Sequence, residues 1–239
     1  MASARTGSQP ATDPPAPGRN PVAEARRRAL VAGRGGDVEK VLGLLGHGEA
    51  GVRVSALGAL AAAGALDPSI LQTFFRDPAL QVRRRACELA GRQHGPTTQR
   101  ASATLVVGLQ QRLEDDEPLV VEAAAWALGE LVDADMDADA DRDTLTSCLR
   151  SLSEIATRHS DALCREAAVA ALGAIGHESS LGSVMAALED RPPVRRRATV
   201  ALAAFSDPRA DEALRRCLTD RDWQVRQAAE DLLGVRPPP

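Results

Sequence analysis

One ten-residue pattern, V-R-x-x-A-x-x-A-L-G, recurs six times along the chain. Its copies begin at Val52, Val82, Val120, Cys164, Val194 and Val225. The distances between successive starts are 30, 38, 44, 30 and 31 residues, so a unit of about 30 residues is repeated with two insertions. A unit repeated at this period cannot bury its apolar face alone and must stack on its neighbours.

The apolar residues inside each copy have the spacing of an amphipathic helix. They fall at the first position (position 0) and at positions +4, +7 and +8, which form one stripe of a 3.6-residue helix. A second amphipathic stretch precedes each copy, over residues 37–45, 69–75, 99–113, 143–157, 181–188 and 211–218. Prolines, which helix interiors exclude, stand at the joints: Pro68, Pro78, Pro96, Pro118, Pro192, Pro193 and Pro208. The sequence therefore predicts helical hairpins, with the glycines at helix ends acting as C-caps.

These copies resemble the HEAT-repeat family, in particular its short repeats of about 30 residues named after the phycobilisome lyases. The resemblance covers residues 22–235 and implies an all-α, right-handed α-solenoid of about six HEAT-like helical hairpins. Residues 1–21 are expected to form a disordered Pro-rich tail, residues 133–143 an acidic inserted loop, and residues 236–239 a C-terminal tail. Because the repeated residues are packing residues, the resemblance specifies architecture and leaves function open.

Charged residues recur in the same register as the apolar ones. Five of the six copies carry Arg at position +1, and three have Asp five residues before their start. An Arg in the first turn of a helix opposes the helix macrodipole and needs a carboxylate. The resemblance implies an Asp/Arg ladder between adjacent repeats, formed by Arg53, Asp77, Arg83, Asp115, Arg165, Arg195, Asp220 and Arg226. We expect interruptions where His47 and His159 replace the Asp and where Val121 replaces the Arg.

Composition limits the available functions. The chain has 29 Lys and Arg against 33 Asp and Glu, and its aromatic residues are two Trp and three Phe. It therefore has no overall basic field to attract nucleic acid and no aromatic platform for single strands. The four cysteines form no CxxC pair and are expected to be small buried side chains. Without a signal-peptide pattern or an apolar stretch of spanning length, a cytoplasmic protein without membrane contact is expected.

The second helix of each hairpin supplies the candidate binding surface. The resemblance implies that these helices line the concave face, and positions +2, +3, +6 and +10 point away from the core. These positions are basic in the second and fifth copies and acidic in the third and fourth. The candidate contacts are Arg84, Arg85, Glu122, Trp126, Glu166, Arg196 and Arg197. Trp126 either anchors a partner or fills a gap among alanines; Trp223 is expected to cover the C-terminal end of the core.

The sequence offers no catalytic, cofactor-binding or metal-binding set. Deoxyhypusine hydroxylase, another HEAT-like family, holds iron with His-Glu pairs at +2/+3, and no copy here carries such a pair. The single His177-Glu178 pair follows the fourth copy, and the other histidines stand at separate turns without ligand spacing. The alternating aspartates of the inserted loop resemble the start of an EF-hand, but Ala138 and Thr144 occupy the positions that require Gly and Glu.

The sequence is best interpreted as a monomeric, non-enzymatic scaffold that binds a partner protein or peptide on its concave face. One alternative is nucleic-acid binding, including base excision by a HEAT-like alkylpurine glycosylase, which Glu122 and Glu166 disfavour because they interrupt a basic groove. Another is an accessory subunit of an enzyme complex. A phycobilin lyase is disfavoured because nothing in the sequence indicates a bilin pocket.

Overall fold

The computed structural model describes residues 20–93, 103–132 and 139–235. Within these ranges the chain has thirteen α-helices, two short 3-10 turns and no β-strand. The helices are α1 (Pro21–Arg34), α2 (Val38–Leu44), α3 (Ala50–Ala62), α4 (Pro68–Phe74), α5 (Leu80–Gly91), α6 (Ala103–Arg112), α7 (Pro118–Leu131), α8 (Asp139–Arg158), α9 (Ala162–Ile175), α10 (Leu181–Ala186), α11 (Pro192–Leu202), α12 (Pro208–Cys217) and α13 (Trp223–Leu233). The all-α prediction is confirmed. Most of the predicted tails, residues 1–19 and 236–239, lie outside the described residues.

The helices form a two-layered solenoid. Each even-numbered helix from α2 to α12 packs against the odd-numbered helix that follows it, which gives six hairpins. Each odd-numbered helix also packs against the next odd-numbered helix along the chain. The six predicted hairpins are therefore present, and α1 adds a seventh member to the odd-numbered layer by packing against α3. The six copies of the repeat pattern all begin after α1, so the sequence pattern did not predict this helix.

The predicted apolar stripe forms the core between the layers. Val52, Ala56 and Leu60, at positions 0, +4 and +8 of α3, are completely buried, and their equivalents in α5, α7, α9 and α11 are buried as well. Position +5 is also completely buried in the first five copies, as Leu57, Cys87, Ala125, Val169 and Thr199. In the sixth copy position +5 is Glu230, which is partly exposed.

The helix ends follow turn and cap chemistry. Asp67 and Asp207 accept the backbone N–H two residues further on, and a proline follows each of them at the first helical position of α4 and α12. Gly176 and Gly234 end α9 and α13 in the left-handed conformation, with φ of 68° and 65°. Aspartates and prolines thus define the joints between helices.

The expected acidic loop differs from the structure. We expected a loop over residues 133–143, but α8 already begins at Asp139. Residues 133–138 lie outside the described residues.

Three glycines near the ends of the copies have a packing role instead of the predicted C-cap role. They are the residues at position +9 of the second, third and fourth copies, Gly91, Gly129 and Gly173. A Cβ atom built on Gly129 would lie 2.9 Å from the Cα atom of Ala171, which is position +7 of the next copy. Because real Cβ atoms do not come that close to backbone, Gly lets these helices approach further than Ala would allow.

Candidate functional site

Four bidentate ion pairs join successive repeats. The Arg at position +1 of one repeat donates from Nε and an Nη atom to both carboxylate oxygens of an Asp in the turn of the next repeat. The pairs are Arg53–Asp77, Arg83–Asp115, Arg165–Asp190 and Arg195–Asp220, with N–O distances of 2.7, 2.8, 2.6 and 2.8 Å. Planar two-point pairing of this kind fixes orientation as well as distance.

Each ladder Arg also holds the turn at the start of its own repeat. Arg195 donates from its other Nη atom to the carbonyl of Asp190 at 2.9 Å, and Arg53, Arg83 and Arg165 bond their turns in the same way. The hydrogen bond from Arg195 holds the pKa of the Asp220 carboxyl below its ordinary value. Each ladder Arg therefore connects the turn of its own repeat to the turn of the next repeat.

The sequence analysis missed one ladder residue, Asp190. The turn before α11 is one residue shorter than the others, so its Asp stands four residues before Val194 instead of five. A fixed offset finds Glu189 at this place, although the side chain that pairs with Arg165 is the next one. A search that let turn length vary by one residue would have found it.

The ladder is absent between α7 and α9. Val121 takes the Arg position and is completely buried, while His159 takes the Asp position. His159 keeps one part of the Asp role, since its Nδ1 accepts the backbone N–H of Asp161 at 3.0 Å. His47 does the same for Glu49 at the start of the first repeat. The histidines therefore form the turn but offer no carboxylate to an Arg.

Arg226 occupies the ladder position of the last repeat. It donates to the carbonyl of Asp220 at 2.8 Å, as its counterparts do within their own turns. No carboxylate within the described chain pairs with it, because no further repeat follows α13 there.

A groove of about 380 Å³ opens between α7 and α9, on the side of the odd-numbered layer that faces away from the even-numbered helices. Four of the seven candidate contacts line it: Glu122, Trp126, Glu166 and Arg197. Its floor is made of small side chains of α9, Ala167, Ala170, Ala171 and Ala174, together with Gly129 of α7. Trp126 of α7 and the alanines of α9 thus line the same groove.

Trp126 lies partly inside the packing and partly in the groove. Its side chain is 37% exposed. A Cβ atom on Gly91 of α5 would lie 2.7 Å from its Cζ3 atom, so the ring rests against the Gly91 backbone. The glycine of the neighbouring repeat thus makes room for the ring and positions it, while the other side of the indole remains available in the groove.

The carboxylates beside Trp126 are poorly neutralised. Glu122 is half-buried, and it makes no hydrogen bond or ion pair within the part of the chain that the structure describes. Glu166 pairs with Arg197 across the α9–α11 boundary at 3.4 Å. Glu130 also lines the groove and is exposed. Three carboxylates therefore face one guanidinium, which leaves the groove negatively charged.

The other three candidate contacts lie outside the groove. Arg84 and Arg85 share the carboxylate of Glu88 on their own helix, at 3.1 and 3.0 Å. Arg196 is exposed on α11. These basic side chains stand on the two helices that flank the groove, so the structure separates an acidic centre from basic borders.

Two large apolar side chains were misjudged from the sequence. Leu163, just before the fourth copy, is 39% exposed and lines the groove beside Glu122 and Glu166, although position −1 was not considered. Trp223 was expected to cover the C-terminal end of the core, and this was wrong: it opens α13 and is 63% exposed.

The four cysteines lie in the core. Cys87, Cys148, Cys164 and Cys217 are all buried, and burial raises the pKa of the Cys87 and Cys148 thiols to about 12. Such thiols are poor nucleophiles at neutral pH. Within the described ranges, no three His, Cys, Asp or Glu side chains gather as ligands for a metal ion. None of the helices described is long and apolar enough to span a membrane.

Comparison with protein families agrees with this architecture. A family model described as HEAT repeats matches residues 149–234, and a second, described as HEAT repeat, matches residues 105–134. The chain therefore contains HEAT repeats over these residues. The family resemblance predicted from the sequence is thereby confirmed. No curated protein matches this HEAT-repeat chain in sequence.

Solved structures share the fold of this HEAT-repeat protein at low sequence identity. An engineered protein has 23% identity and a TM-score of 0.60, with 83% of this chain and 98% of that chain covered. The complex of CpcE and CpcF of phycocyanin lyase from Nostoc sp. PCC7120 has 20% identity and a TM-score of 0.56, with 96% and 81% covered. A designed armadillo repeat protein in complex with the peptide (KR)4 has 15% identity and a TM-score of 0.51, with 90% and 99% covered. The α-solenoid is therefore shared with armadillo-like repeat proteins.

Proposed function

We propose that this HEAT-repeat protein is a non-enzymatic scaffold that holds a segment of a partner protein against its odd-numbered helices, centred on the α7–α9 groove. One observation carries the proposal: Trp126 and Leu163, which are 37% and 39% exposed, line the same recess between α7 and α9. A concave site with an accessible aromatic anchor is the usual form of an interface hot spot.

Two of the similar structures support a binding role. One is a designed armadillo repeat protein with a bound peptide, and another is a complex of two chains. The inert, buried cysteines support a non-enzymatic role, since the chain's four thiols cannot act as nucleophiles where they stand. We further propose that the protein is cytoplasmic. We propose a monomer because position +5 of α13 is the charged Glu230, whereas the earlier copies bury a small or apolar side chain there.

Nucleic-acid binding is the alternative that the groove disfavours. A protein that grips a phosphate backbone needs a continuous positive surface. Here Glu122, Glu130 and Glu166 stand at the centre of the surface, and only Arg197 accompanies them. A gel-shift titration with duplex DNA at two salt concentrations tests this: we expect no salt-sensitive binding.

The test of the proposal compares two exposed tryptophans. Tagged wild-type protein, Trp126→Ala and Trp223→Ala are expressed in the native cell, purified by affinity, and their co-purifying proteins are quantified by mass spectrometry. We expect a set of partners that is lost with Trp126→Ala and kept with Trp223→Ala, because only the first side chain lines the groove. Circular dichroism melting of each variant checks that the fold is intact.

A partner set that is identical for all three proteins would show that the groove is not the binding site. An enzyme among the groove-dependent partners would identify the chain as an accessory subunit. Glu166→Arg is the second groove variant, since it changes the charge of an exposed wall without touching the Trp126 packing.

A further inference from the structure

The charges on the solvent side of the odd-numbered helices form a row that crosses the helices. The copies pack in register, as the contacts of position +9 on position +7 of the next copy show at Gly129–Ala171 and Gly173–Ala201. Positions +2 and +3 of neighbouring helices therefore lie at one level. From α5 to α11 this row carries Arg84 and Arg85, then Glu122, then Glu166, then Arg196 and Arg197. Its order of charge is positive, negative, negative, positive.

The centre of the row is suited to a cation. Glu122 is half-buried and has no partner among the described residues, and Glu166 has only the longer contact with Arg197 at 3.4 Å. Trp126 is one helical turn further along α7 from Glu122 and offers its ring to the groove. A Lys or Arg side chain that enters between the two carboxylates would lay its stem and charge on the indole, which combines a charge-assisted hydrogen bond with a cation–π contact.

The borders of the row are suited to anions. Arg84 and Arg85 have one carboxylate, Glu88, between them, so this border keeps a positive charge. On α11, Arg196 is exposed and has no partner within the described chain, and Arg197 shares Glu166 at a long distance. Both borders can therefore accept a carboxylate from a bound segment.

Helix spacing sets the distance between these contacts along a bound chain. Packed helices are about 8–10 Å apart, and each border lies about one and a half spacings from the middle of the α7–α9 groove. An extended chain advances about 3.3 Å per residue. The distance from the groove to either border therefore corresponds to about four residues.

Resting on the proposed function, we infer that the occupant of the groove is an extended protein segment with one central Lys or Arg and acidic residues about four positions before and after it. An all-basic segment fits the centre and is repelled at both borders. An acidic segment is repelled at the centre. The order of charges thus selects the partner more strongly than the net charge does.

The test uses Trp126 as its own reporter. The chain has two tryptophans and no tyrosine, so Trp223→Phe leaves Trp126 as the dominant source of fluorescence in the full-length protein. This variant is titrated with synthetic eleven-residue peptides: one with a central Arg and Glu residues four positions away on each side, one with citrulline in place of that Arg, one with all flanking charges basic, and one with every charge reversed. Each titration is repeated at low and high salt.

We expect saturable binding of the first peptide that weakens with salt, and at least about tenfold weaker binding of the citrulline and all-basic peptides. Glu122→Gln in the Trp223→Phe background should weaken the first peptide by about the same factor. The matched control is Glu39→Gln, which neutralises an exposed carboxylate on α2, away from the row, and should leave the affinity unchanged.

The outcomes separate this inference from the proposed function. Equal binding of all four peptides, tighter binding of the all-basic or reversed peptide, or no binding of the first would overturn the charge order. The groove itself would still stand if Trp126→Ala removed partners in the cell. If fluorescence instead changed with protein concentration alone, a second copy of the chain would be the occupant, and the inference would be wrong.

Discussion

The boundary between α3 and α5 and the boundary between α7 and α9 are held in different ways. The first has a ladder pair, Arg53–Asp77, and its facing residues at positions +9 and +7 are Ala61 and Leu89. The second has no ladder pair, and its facing residues are Gly129 and Ala171. Contact between the two helices is much more extensive in the second. Close packing and ion pairing are therefore independent ways to join repeats.

The remaining boundaries show which of the two determines the approach of the helices. The α1–α3, α5–α7 and α9–α11 boundaries, each with Gly at the close contact, have extensive contact whether or not a ladder pair is present. The α11–α13 boundary, with Ala203 facing Leu232, has limited contact although Arg195–Asp220 joins it. Side-chain size at one pair of positions thus sets the approach, and the ladder fixes the turns.

The largest expected effect comes from breaking a rung. Arg195→Met removes the partner of Asp220, whose side chain is only 17% exposed, and leaves an uncompensated carboxylate at the α11–α13 boundary. We expect the free energy of unfolding to fall by about 3–5 kcal/mol, as for other buried pairs that lose one member. Urea unfolding followed by circular dichroism measures it.

The control for this prediction is Arg158→Met, which removes an exposed pair with Glu154 at 3.7 Å. Little change is expected, because exposed pairs contribute little to stability. If the free energy of unfolding fell by the same small amount in both variants, the ladder pair would not contribute to holding the repeats together.

The next effect tests the close approach of α7 and α9. Gly129→Ala should lower the free energy of unfolding by about 1–3 kcal/mol, because the added Cβ meets the Ala171 backbone at 2.9 Å. This loss is expected despite the better helix propensity of Ala, which is worth up to about 1 kcal/mol. Urea unfolding again provides the measurement.

Gly43→Ala in α2 is the matched control, since a Cβ there meets nothing within 4 Å. It should gain up to about 1 kcal/mol from propensity alone. Stabilisation by both substitutions would mean that α7 and α9 can separate at no cost and that the Gly–Ala contact does not hold them.

The smallest expected effect is that the stability contributed by the ladder pairs depends on pH. Hydrogen bonds from Arg195 and Arg165 hold the pKa values of Asp220 and Asp190 below their ordinary values. A depressed pKa contributes stability above about pH 4, the ordinary range of an Asp carboxyl, and this contribution is lost as the pH falls through the folded-state value. The difference in the free energy of unfolding between the wild type and Arg195→Met should therefore shrink as the pH falls from about 5 to about 3. A difference that stayed constant over this range would contradict ionic pairing as its source.

Much of the fold could be predicted from the sequence because the repeat expresses packing directly. Val52 and its equivalents mark the core, and the prolines at the joints mark the turns. The role of Gly129 could not be predicted in the same way, because a glycine near a helix end has the same appearance whether it adopts a left-handed cap or meets a neighbouring backbone. Only the position of the next repeat separates the two.

The charges of the groove could be predicted from the sequence, and its shape could not. The in-phase copies placed Glu122, Trp126 and Glu166 on one face. The recess depends on several helices: Ala170 of α9 lines it together with Trp126, and Gly91 of α5 leaves space behind the Trp126 ring. These are relations between repeats, which a pattern within one repeat does not contain.

Glu230 has a consequence for assembly beyond the single molecule. An array whose units all carry the same two faces can add further units without limit, and such head-to-tail addition produces filaments. Position +5 is small or apolar, and completely buried, wherever another repeat covers it, but at α13 it is a carboxylate. Covering α13 with another copy would desolvate that charge. The charge of Glu230 therefore disfavours the addition of a further copy at α13.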